Sequence, residues 1–217
     1  MTEPEGRRRL PAVFAAVVAA LSTGSCTGPA EAPPVRAAPT SLTYAEAAAK
    51  VPMNGTEKLP ITWDTSKVPD TDVVLAARRT LAYFYYQNST PDWVSVAPIA
   101  RPLYTAKNYA EVMEPFAGST DSGADDNGIL WIKTMGVEQV RPNHVRVDFC
   151  TDIGYLRYDA DSPRFREDRA YLQAQDMFYV KTTDGSHRWL LRSHIDNAAD
   201  RKPLYGAECA KWAQHKP

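Results

Sequence analysis

The spacing of apolar residues changes near residue 128, from the period of a helix to alternation with polar residues. Before that point the clearest element begins at Pro69-Asp70-Thr71-Asp72, and its apolar side chains recur at the i, i+3, i+7 spacing of an amphipathic helix. These side chains are Val74, Ala77, Leu81, Phe84 and Tyr85. Asp70 or Thr71 can cap this helix, and Ser89-Thr90-Pro91 ends it near Asn88. Shorter helices are predicted over residues 43–50, 91–99 and 106–116.

After the polar loop 118–128, alternating apolar and polar residues predict four long strands. They cover residues 129–138, 144–151, 171–182 and 187–195. Asp184-Gly185 predicts a hairpin between the last two. A brief extended piece is expected at residues 61–63, and no element is predicted in the tail 196–217. Helices followed by meandering strands indicate an α+β fold with an antiparallel sheet.

This element order, together with the strand sequence VRVDFCTD at residues 145–152, resembles the nuclear transport factor two-like (SnoaL-like) superfamily. It also resembles bacterial lipoproteins of the actinobacterial type that carry such a domain. The resemblance covers residues 70–195. It implies a cone-shaped, cystatin-like or SnoaL-like arrangement in which a curved sheet surrounds the long helix and leaves an open pocket. Because that superfamily uses the pocket for isomerisation, hydrolysis, binding or no catalysis, the fold alone leaves the function open.

The N-terminus has the pattern of an export signal. Arg7, Arg8 and Arg9 precede a run of 12 residues, 10–21, that carries no charge. A membrane span needs ~20 apolar residues, so this run suits the core of a signal peptide. Gly24 and Ser25 before Cys26 resemble a lipobox, in which the cysteine sulfur is acylated and the chain is cut before it. Cleavage to a soluble secreted protein, or a retained anchor, are the alternatives.

We therefore expect three segments: a signal peptide at residues 1–25, a tether at 26–42 and a single α+β domain at 43–217. Proline and alanine fill 8 of the 12 positions at residues 29–40, a composition typical of a semi-rigid spacer. The expected location is the extracytoplasmic face of the cell membrane, with the lipid on Cys26 as the contact with the membrane. Without that lipid the protein would be secreted.

The composition excludes two classes of protein. The 217 residues include 25 basic and 26 acidic side chains, and a net charge of -1 gives no general attraction to nucleic acid. Hydrophobic residues make up 44% of the chain, which is enough to bury a core and argues against a wholly disordered protein.

Two cysteines remain if Cys26 carries a lipid. In an oxidising compartment Cys150 and Cys209 are expected to form a disulfide. A catalytic thiol at Cys150 is the alternative, but the neighbouring Asp148 disfavours a reactive thiolate.

Candidate chemistry is sparse. Strand alternation places Arg146, Asp148 and Cys150 on one face. Asp148 or Asp152 near apolar walls could act as a general base with a raised pKa, whereas the plainer interpretation is an exposed Arg146–Asp148 pair. Aromatic side chains can line a pocket or fill the core. The pocket candidates are Tyr83, Trp93 and Trp131, and the neighbours Phe84, Tyr85 and Tyr86 belong to the same aromatic run.

No metal or other cofactor is expected. The four histidines lack the spacing of a zinc helix, and alternation within its strand predicts that His194 faces solvent. The acidic loop 121–128 lacks the spacing of a calcium-binding EF-hand loop, and its composition favours a flexible connector.

These observations predict an exported, lipid-anchored envelope protein of non-catalytic type that binds a partner protein or a small apolar ligand. The alternative is a pocket enzyme, isomerase-like or hydrolase-like, with an aspartate general base. A pure interaction module, marked by a large exposed apolar patch, is a third reading. No nucleic-acid partner is expected.

Overall fold

The computed structural model describes residues 41–159 and 161–217. The predicted signal peptide, the lipidation site Cys26 and nearly all of the predicted tether lie outside the described residues. All statements below concern the described part of the chain.

Four helices precede the long strands, as the sequence predicts. They are α1 (Tyr44–Lys50), α2 (Asp72–Asn88), α3 (Trp93–Ala100) and α4 (Ala106–Val112), and a single 3-10 turn (Glu114–Phe116) follows α4. Thr71 caps α2 by accepting a hydrogen bond from the amide of Val74. At α1, Thr43 and Glu46 form a reciprocal capping box. The caps therefore fall where the polar residues before each helix predict them.

The strands form one curled, half-barrel sheet in the order β1-β2-β3-β4-β5. The strands are β1 (Ile61–Asp64), β2 (Leu130–Arg141), β3 (His144–Asp152), β4 (Ala170–Lys181) and β5 (His187–Ile195). Neighbours from β2 to β5 are antiparallel, while β1 pairs with β2 in parallel. The α+β class with a cone-like sheet is confirmed, and the parallel edge strand makes the sheet mixed.

The main core lies between α2 and the inner face of the sheet. From α2, Leu81 and Tyr83 are fully buried, and Tyr83 donates a hydrogen bond from its hydroxyl to the carbonyl of Val96. Val147 and Phe149 of β3 belong to the same cluster of buried apolar residues. The inner face of the sheet therefore packs against the helices α1 to α4.

A helix that the sequence does not predict covers the outer face. This helix, α5 (Lys202–Trp212), lies in the tail and is tied to β3 by the Cys150–Cys209 disulfide. The expected disulfide is therefore confirmed. The sequence of α5 has no helical spacing of apolar residues from which it could be recognised, because Cys209 is its single buried residue. It also contains Pro203 at its start and Gly206 in its interior.

A β-bulge in β5 changes which side chains face inward. Met177 pairs with Leu191 and Asp176 pairs with Ser193, so Arg192 is an extra residue without a partner in the ladder. Beyond the bulge, His194 pairs with Gln175 and lies on the inner face. The prediction that His194 faces solvent is wrong, because it assumed unbroken alternation; its side chain is only 12% exposed.

Candidate functional site

A half-open cavity of about 140 Å³ lies at the C-terminal end of α2, and we call it the inner cavity. Its walls come from α2, from the segments that follow β3 and β5, from β4 and from the end of loop 118–128. The residues lining it are Phe84, Tyr85, Asn88, Asp126, Ile153, Leu156, Tyr158, Tyr171, Gln173 and Asp196. Buried Tyr85 and Gln173 lie at its floor, and exposed Tyr158 at its mouth.

Gln173 is held at the floor by hydrogen bonds that use both ends of its amide. Its Oε1 accepts from the hydroxyls of Tyr85, at 2.8 Å, and Thr151, at 2.7 Å. Its Nε2 therefore faces the other way and donates to Asp196 Oδ1 at 3.3 Å. The Gln173 side chain is fully engaged and orients Asp196 at the cavity wall.

His194 supports the same carboxylate from behind. Its ring stacks on Phe84 at a centroid distance of 4.3 Å. Thr80 donates to Gln175 Oε1, so Gln175 Nε2 donates to His194 Nδ1 at 3.0 Å. In the neutral ring the proton then lies on Nε2, which is 2.9 Å from Asp196 Oδ1.

The ionised form of Asp196 is favoured by this arrangement. Burial raises the pKa of Asp196, but the hydrogen bond and charge of His194 and the Gln173 amide outweigh burial, so the net pKa is lowered. Asp196 therefore presents a carboxylate to the cavity at neutral pH.

Asp126 is the second acidic group of the inner cavity, and it differs from Asp196 in having no partner. It is 8% exposed, and among the described residues its carboxyl makes no hydrogen bond and no ion pair. Burial raises the pKa of Asp126 to about 7, the positive charge of Lys58 lowers it and Asp125 raises it further. The carboxyl oxygens of Asp126, unlike those of Asp148, are not fully removed from solvent and face the half-open cavity, where a ligand can reach them.

Backbone hydrogen bonds connect the end of loop 118–128, around Asp126, to α2 and to the segment after β3. The amide of Asp126 donates to the carbonyl of Asn88 at the end of α2, at 2.9 Å. Asn127 exchanges two backbone hydrogen bonds with Arg157, at 2.9 and 2.8 Å. Gly128 has a φ of 115°, and a Cβ there would come within 2.0 Å of the Tyr155 carbonyl oxygen. Only glycine allows this close approach.

The structure does not bring Asp148 or Asp152 to the inner cavity. Both lie on the outer face of β3, beside α5 and the residues that follow it. Asp148 is 1% exposed, so the expected exposed Arg146–Asp148 pair is wrong. Arg146 pairs with Asp176 and Asp200 instead, because α5 covers the space above Asp148.

The two buried aspartates have opposite electrostatic environments. Burial raises the pKa of Asp148 to about 6, against the charges of Arg201 and Arg146, and neither of its oxygens has a hydrogen bond. Burial also acts on Asp152, but there the two hydrogen bonds from Arg169, at 2.7 Å each, and those from Gly154 and His215 outweigh it and lower the pKa. Asp152 therefore lacks the raised pKa expected of a general base.

The aromatic candidates do not line the inner cavity either. Tyr83 belongs to the core, where its ring contacts Tyr104 at 5.7 Å. Trp93 packs on Phe116 at 5.6 Å, and Trp131 stacks on His215 at 5.0 Å on the outer side of the sheet. From the aromatic run of α2, the inner cavity receives Phe84 and Tyr85, because a helix turns successive side chains to different sides.

Sequence reasoning missed Asp126, Asp196 and His194. A signal was available for Asp126, since Gly128 follows a polar pair directly before a buried strand. Asp196 and His194 depend on the bulge in β5, for which the sequence offers no local signal. Nothing in the local sequence says that these segments meet at one end of α2.

A second, open groove of about 270 Å³ lies at the other end of α2. Tyr44, Arg79 and Arg188 contribute to it, and both guanidinium groups lie over the Tyr44 ring, at 5.7 and 4.7 Å. Arg188 is already paired with Asp184. The arginine side chains that line the groove therefore already contact neighbouring residues of the same chain.

Two further searches of the described residues bear on function. They contain no group of three or more His, Cys, Asp or Glu side chains arranged to hold a metal ion. None of the helices between residues 41 and 217 that the structure describes is long and apolar enough to cross a membrane.

The cavity chemistry is the basis for inferring a function. Comparisons of the chain with protein-family models, with curated proteins and with solved structures found no match.

Proposed function

We propose that this chain is an exported, lipid-anchored protein of the cell envelope whose α+β domain binds a small molecule in the inner cavity. The observation that carries the binding proposal is Asp126, a buried carboxyl that faces the cavity without a partner. A ligand that donates a hydrogen bond to this carboxyl gains about 0.5–1.5 kcal/mol, or about 1.5–3 kcal/mol where one of the two groups is charged.

The size and lining of the inner cavity limit the ligand. A cavity of ~150 Å³ accepts a molecule the size of benzene, and the inner cavity has about 140 Å³ with an open side. Phe84, Tyr158 and Tyr171 offer ring surfaces, while Asp126 and Asp196 offer carboxyl groups. These walls favour a small molecule with both an apolar body and a polar group over a wholly apolar ligand.

A filled cavity tests the binding proposal. Asn88 is half-buried at the cavity wall, and Asn88→Trp would occupy the space with an indole. We expect benzene-sized ligands that perturb the NMR signals of the full-length chain in detergent to lose binding in this variant. Asn143→Trp, in the exposed turn between β2 and β3, is the matched control and should keep binding. Equal binding by both variants would contradict the proposal.

The anchoring part of the proposal rests on sequence and on compartment chemistry. Arg7 to Arg9, the uncharged run 10–21 and Gly24-Ser25-Cys26 have the order of a lipoprotein signal, and the proline-rich stretch 29–40 suits a tether. A buried Cys150–Cys209 disulfide is compatible with an oxidising compartment, where such bonds persist. A nuclear transport factor two-like relationship is proposed on the order of the elements and the strand sequence at residues 145–152.

Labelling tests the anchor. A bacterium that produces the full-length chain should incorporate radiolabelled palmitate into the wild type and hold it in the membrane fraction, whereas Cys26→Ala should carry no label. Recovery of an unlabelled full-length chain from the cytosol, with all three cysteines open to alkylation, would contradict export and anchoring together.

A pocket enzyme with an aspartate general base is the second candidate. The observation that favours it is again Asp126, because a pKa of about 7 suits proton transfer near neutral pH. Asp126 then replaces Asp148 and Asp152 as the candidate base. Hydrolysis of small esters, or deuterium exchange at the carbon next to a ketone, should be lost in Asp126→Asn and retained in Asp148→Asn. Retained turnover in Asp126→Asn would contradict this role.

A further inference from the structure

The charged hydrogen-bonding groups of the inner cavity are carboxyl acceptors, and its uncharged lining groups, the Asn88 amide and the hydroxyls of Tyr158 and Tyr171, can donate or accept. Asp126 offers two carboxyl oxygens that no side chain of the described residues pairs with, and the Asp196 carboxylate accepts from His194, Gln173 and Tyr171 while it still lines the cavity. The Gln173 amide is fully used by its neighbours. A ligand that pairs with the two carboxyl groups must therefore bring hydrogen-bond donors.

The charge of the cavity points in the same direction. Two of its lining residues are acidic and none is Lys or Arg. Lys58, whose charge acts on Asp126, is not a lining residue; it forms an ion pair with Asp125 and donates to the carbonyl of Ser89 at 3.3 Å. Arg166 lies over the ring of Tyr158, with its guanidinium carbon 5.2 Å from the ring centre, and it is not a lining residue. The wall of the cavity therefore carries an acidic excess.

Aromatic rings complete the wall around the two carboxyl groups. Phe84 and Tyr85 meet edge to face at 5.3 Å, and Tyr158 and Tyr171 lie nearby. Ring faces attract cations, and the attraction grows when the cation is removed from water. A carboxylate that accepts N–H donors from a cation makes a stronger hydrogen bond than a neutral pair does.

We propose that the inner cavity binds a small organic ammonium ion, whose N–H groups donate to Asp126 and Asp196 and whose apolar body packs among Phe84, Tyr158 and Tyr171. This inference rests on the proposed function, because it names the ligand class of the same cavity. A neutral ligand of the same size would donate to these carboxyl groups without the assistance of a positive charge, and an anionic ligand would place a negative charge against them.

The pH dependence of binding follows from the groups that face Asp126. Lys58 faces it from the segment before β1, and Asp125 is its neighbour in the chain. Tyr158 comes from the segment after β3 and Asp196 from the segment after β5. From α2 come Tyr85 and the uncharged Asn88. Protonation neutralises Asp126 below its pKa of about 7. A cation should therefore bind more weakly as the pH falls through that value, while a neutral ligand should not.

Three ligands of equal shape test the inference on the full-length chain by titration calorimetry. Benzylammonium should bind at least about tenfold more tightly than benzyl alcohol near pH 8, the factor expected of one charge-assisted hydrogen bond, and benzoate should bind most weakly. Near pH 5.5 the preference for benzylammonium should shrink to about threefold or less, because only Asp196 remains ionised.

Variants separate the cation preference from simple cavity binding. Asp126→Asn should remove about tenfold of the benzylammonium affinity and leave benzyl alcohol within about twofold. Asp148→Asn, the same change in a buried carboxyl outside the cavity, should alter neither. Asp196→Asn provides a second test of the cation preference if Asp126→Asn fails to fold.

The outcomes distinguish the two levels of the proposal. Benzyl alcohol or benzoate binding as tightly as benzylammonium, with loss in Asn88→Trp, would overturn the ammonium inference and leave the binding function intact. Binding of none of the three ligands, or binding that survives Asn88→Trp, would overturn both.

Discussion

Asp148 and Asp152 lie four positions apart on the same side of β3, and each is almost completely removed from solvent. What separates them is their partners. Asp152 accepts two hydrogen bonds from Arg169 and further ones from His215 and Gly154, whereas Asp148 has Arg201 Nε at 3.5 Å and no hydrogen bond. At the scale of the residue, the neighbours and not the sequence position decide which carboxyl stabilises the fold.

Replacing Asp152 by asparagine should lower the free energy of unfolding by about 3–5 kcal/mol, because Arg169 would remain buried without its charged partner. Urea unfolding at neutral pH measures the effect. Asp148→Asn is the matched control and should be at least as stable as the wild type, since it removes a buried charge that has no hydrogen bond. Equal losses in the two variants would contradict this account.

The stability contributed by Asp148 should depend on pH in the opposite sense from that of Asp152. Because burial raises the pKa of Asp148 from 3.8 to about 6, the folded protein favours the protonated form. Its contribution is present below about pH 4 and is lost as the pH rises through 6, by at most roughly 3 kcal/mol. The lowered pKa of Asp152 gives a contribution that is present above about pH 4 and lost as the pH falls below it.

Unfolding free energies measured between about pH 4 and 7 test the Asp148 prediction. The difference between the wild type and Asp148→Asn should grow as the pH rises, with the variant becoming the more stable of the two. The contribution of Asp126, whose pKa is also raised, is common to both proteins and cancels in this comparison. A difference that stays constant with pH would contradict it.

At the scale of the element, α5 shows how a poorly patterned helix can be held in place. It is attached by the disulfide to β3, by Arg201 to Glu138 at 2.7 Å, and by Trp212 Nε1 to Asp64 at 2.9 Å. Gly136 lies directly beneath it, and a Cβ there would meet the hydroxyl of Tyr205 at 2.0 Å. These contacts cover the outer face of the sheet and bury Asp148.

Removing the disulfide by a joint Cys150→Ala and Cys209→Ala change should lower the free energy of unfolding by roughly 4 kcal/mol, the chain-entropy value for a loop of 59 residues. Chemical denaturation at neutral pH measures it. Cys26→Ala removes the third cysteine and should leave the stability unchanged. A loss of less than about 1 kcal/mol in the joint variant would show that the other contacts of α5 suffice.

The elements that sequence predicts well are those with a strong local signal. The caps and apolar spacing of α2, and the Asp184-Gly185 hairpin, depend on neighbours a few residues away, and the structure reproduces them. α5 and the bulge at Arg192 have no such signal, because both are decided by packing against distant parts of the chain. The inward position of His194 beside the inner cavity was missed for the same reason, since it requires the bulge.

At the scale of the whole molecule, the folded domain should not need the residues before α1. A chain that starts at Ser41 keeps the capping box of Thr43 and Glu46 and should match the full chain in unfolding free energy. A chain that starts at Pro52 loses buried Ala47 and Val51 and the hydrogen bond between Arg79 and the Tyr44 hydroxyl. It should be less stable by about 2–4 kcal/mol, from the apolar side chains it no longer buries.

Thermal and urea unfolding of the two truncated chains beside the full chain provide the measurement. The shorter chain should also retain the inner cavity, because α1 lies at the other end of α2. If the chain from Ser41 is as unstable as the chain from Pro52, then the predicted domain boundary at residue 43 is wrong.

The amino-acid sequence by itself determined the α+β class, most helix and strand positions and the pairing of the two domain cysteines, because each follows from short-range patterns or from simple counting. The tertiary structure alone decided which side chains share a cavity. Asp126, Asp196 and His194 come from separate segments of the chain, and they meet because α2, the curled sheet and the bulge in β5 bring those segments to one end of the helix. That meeting depends on long-range packing, which leaves no trace in the local order of residues.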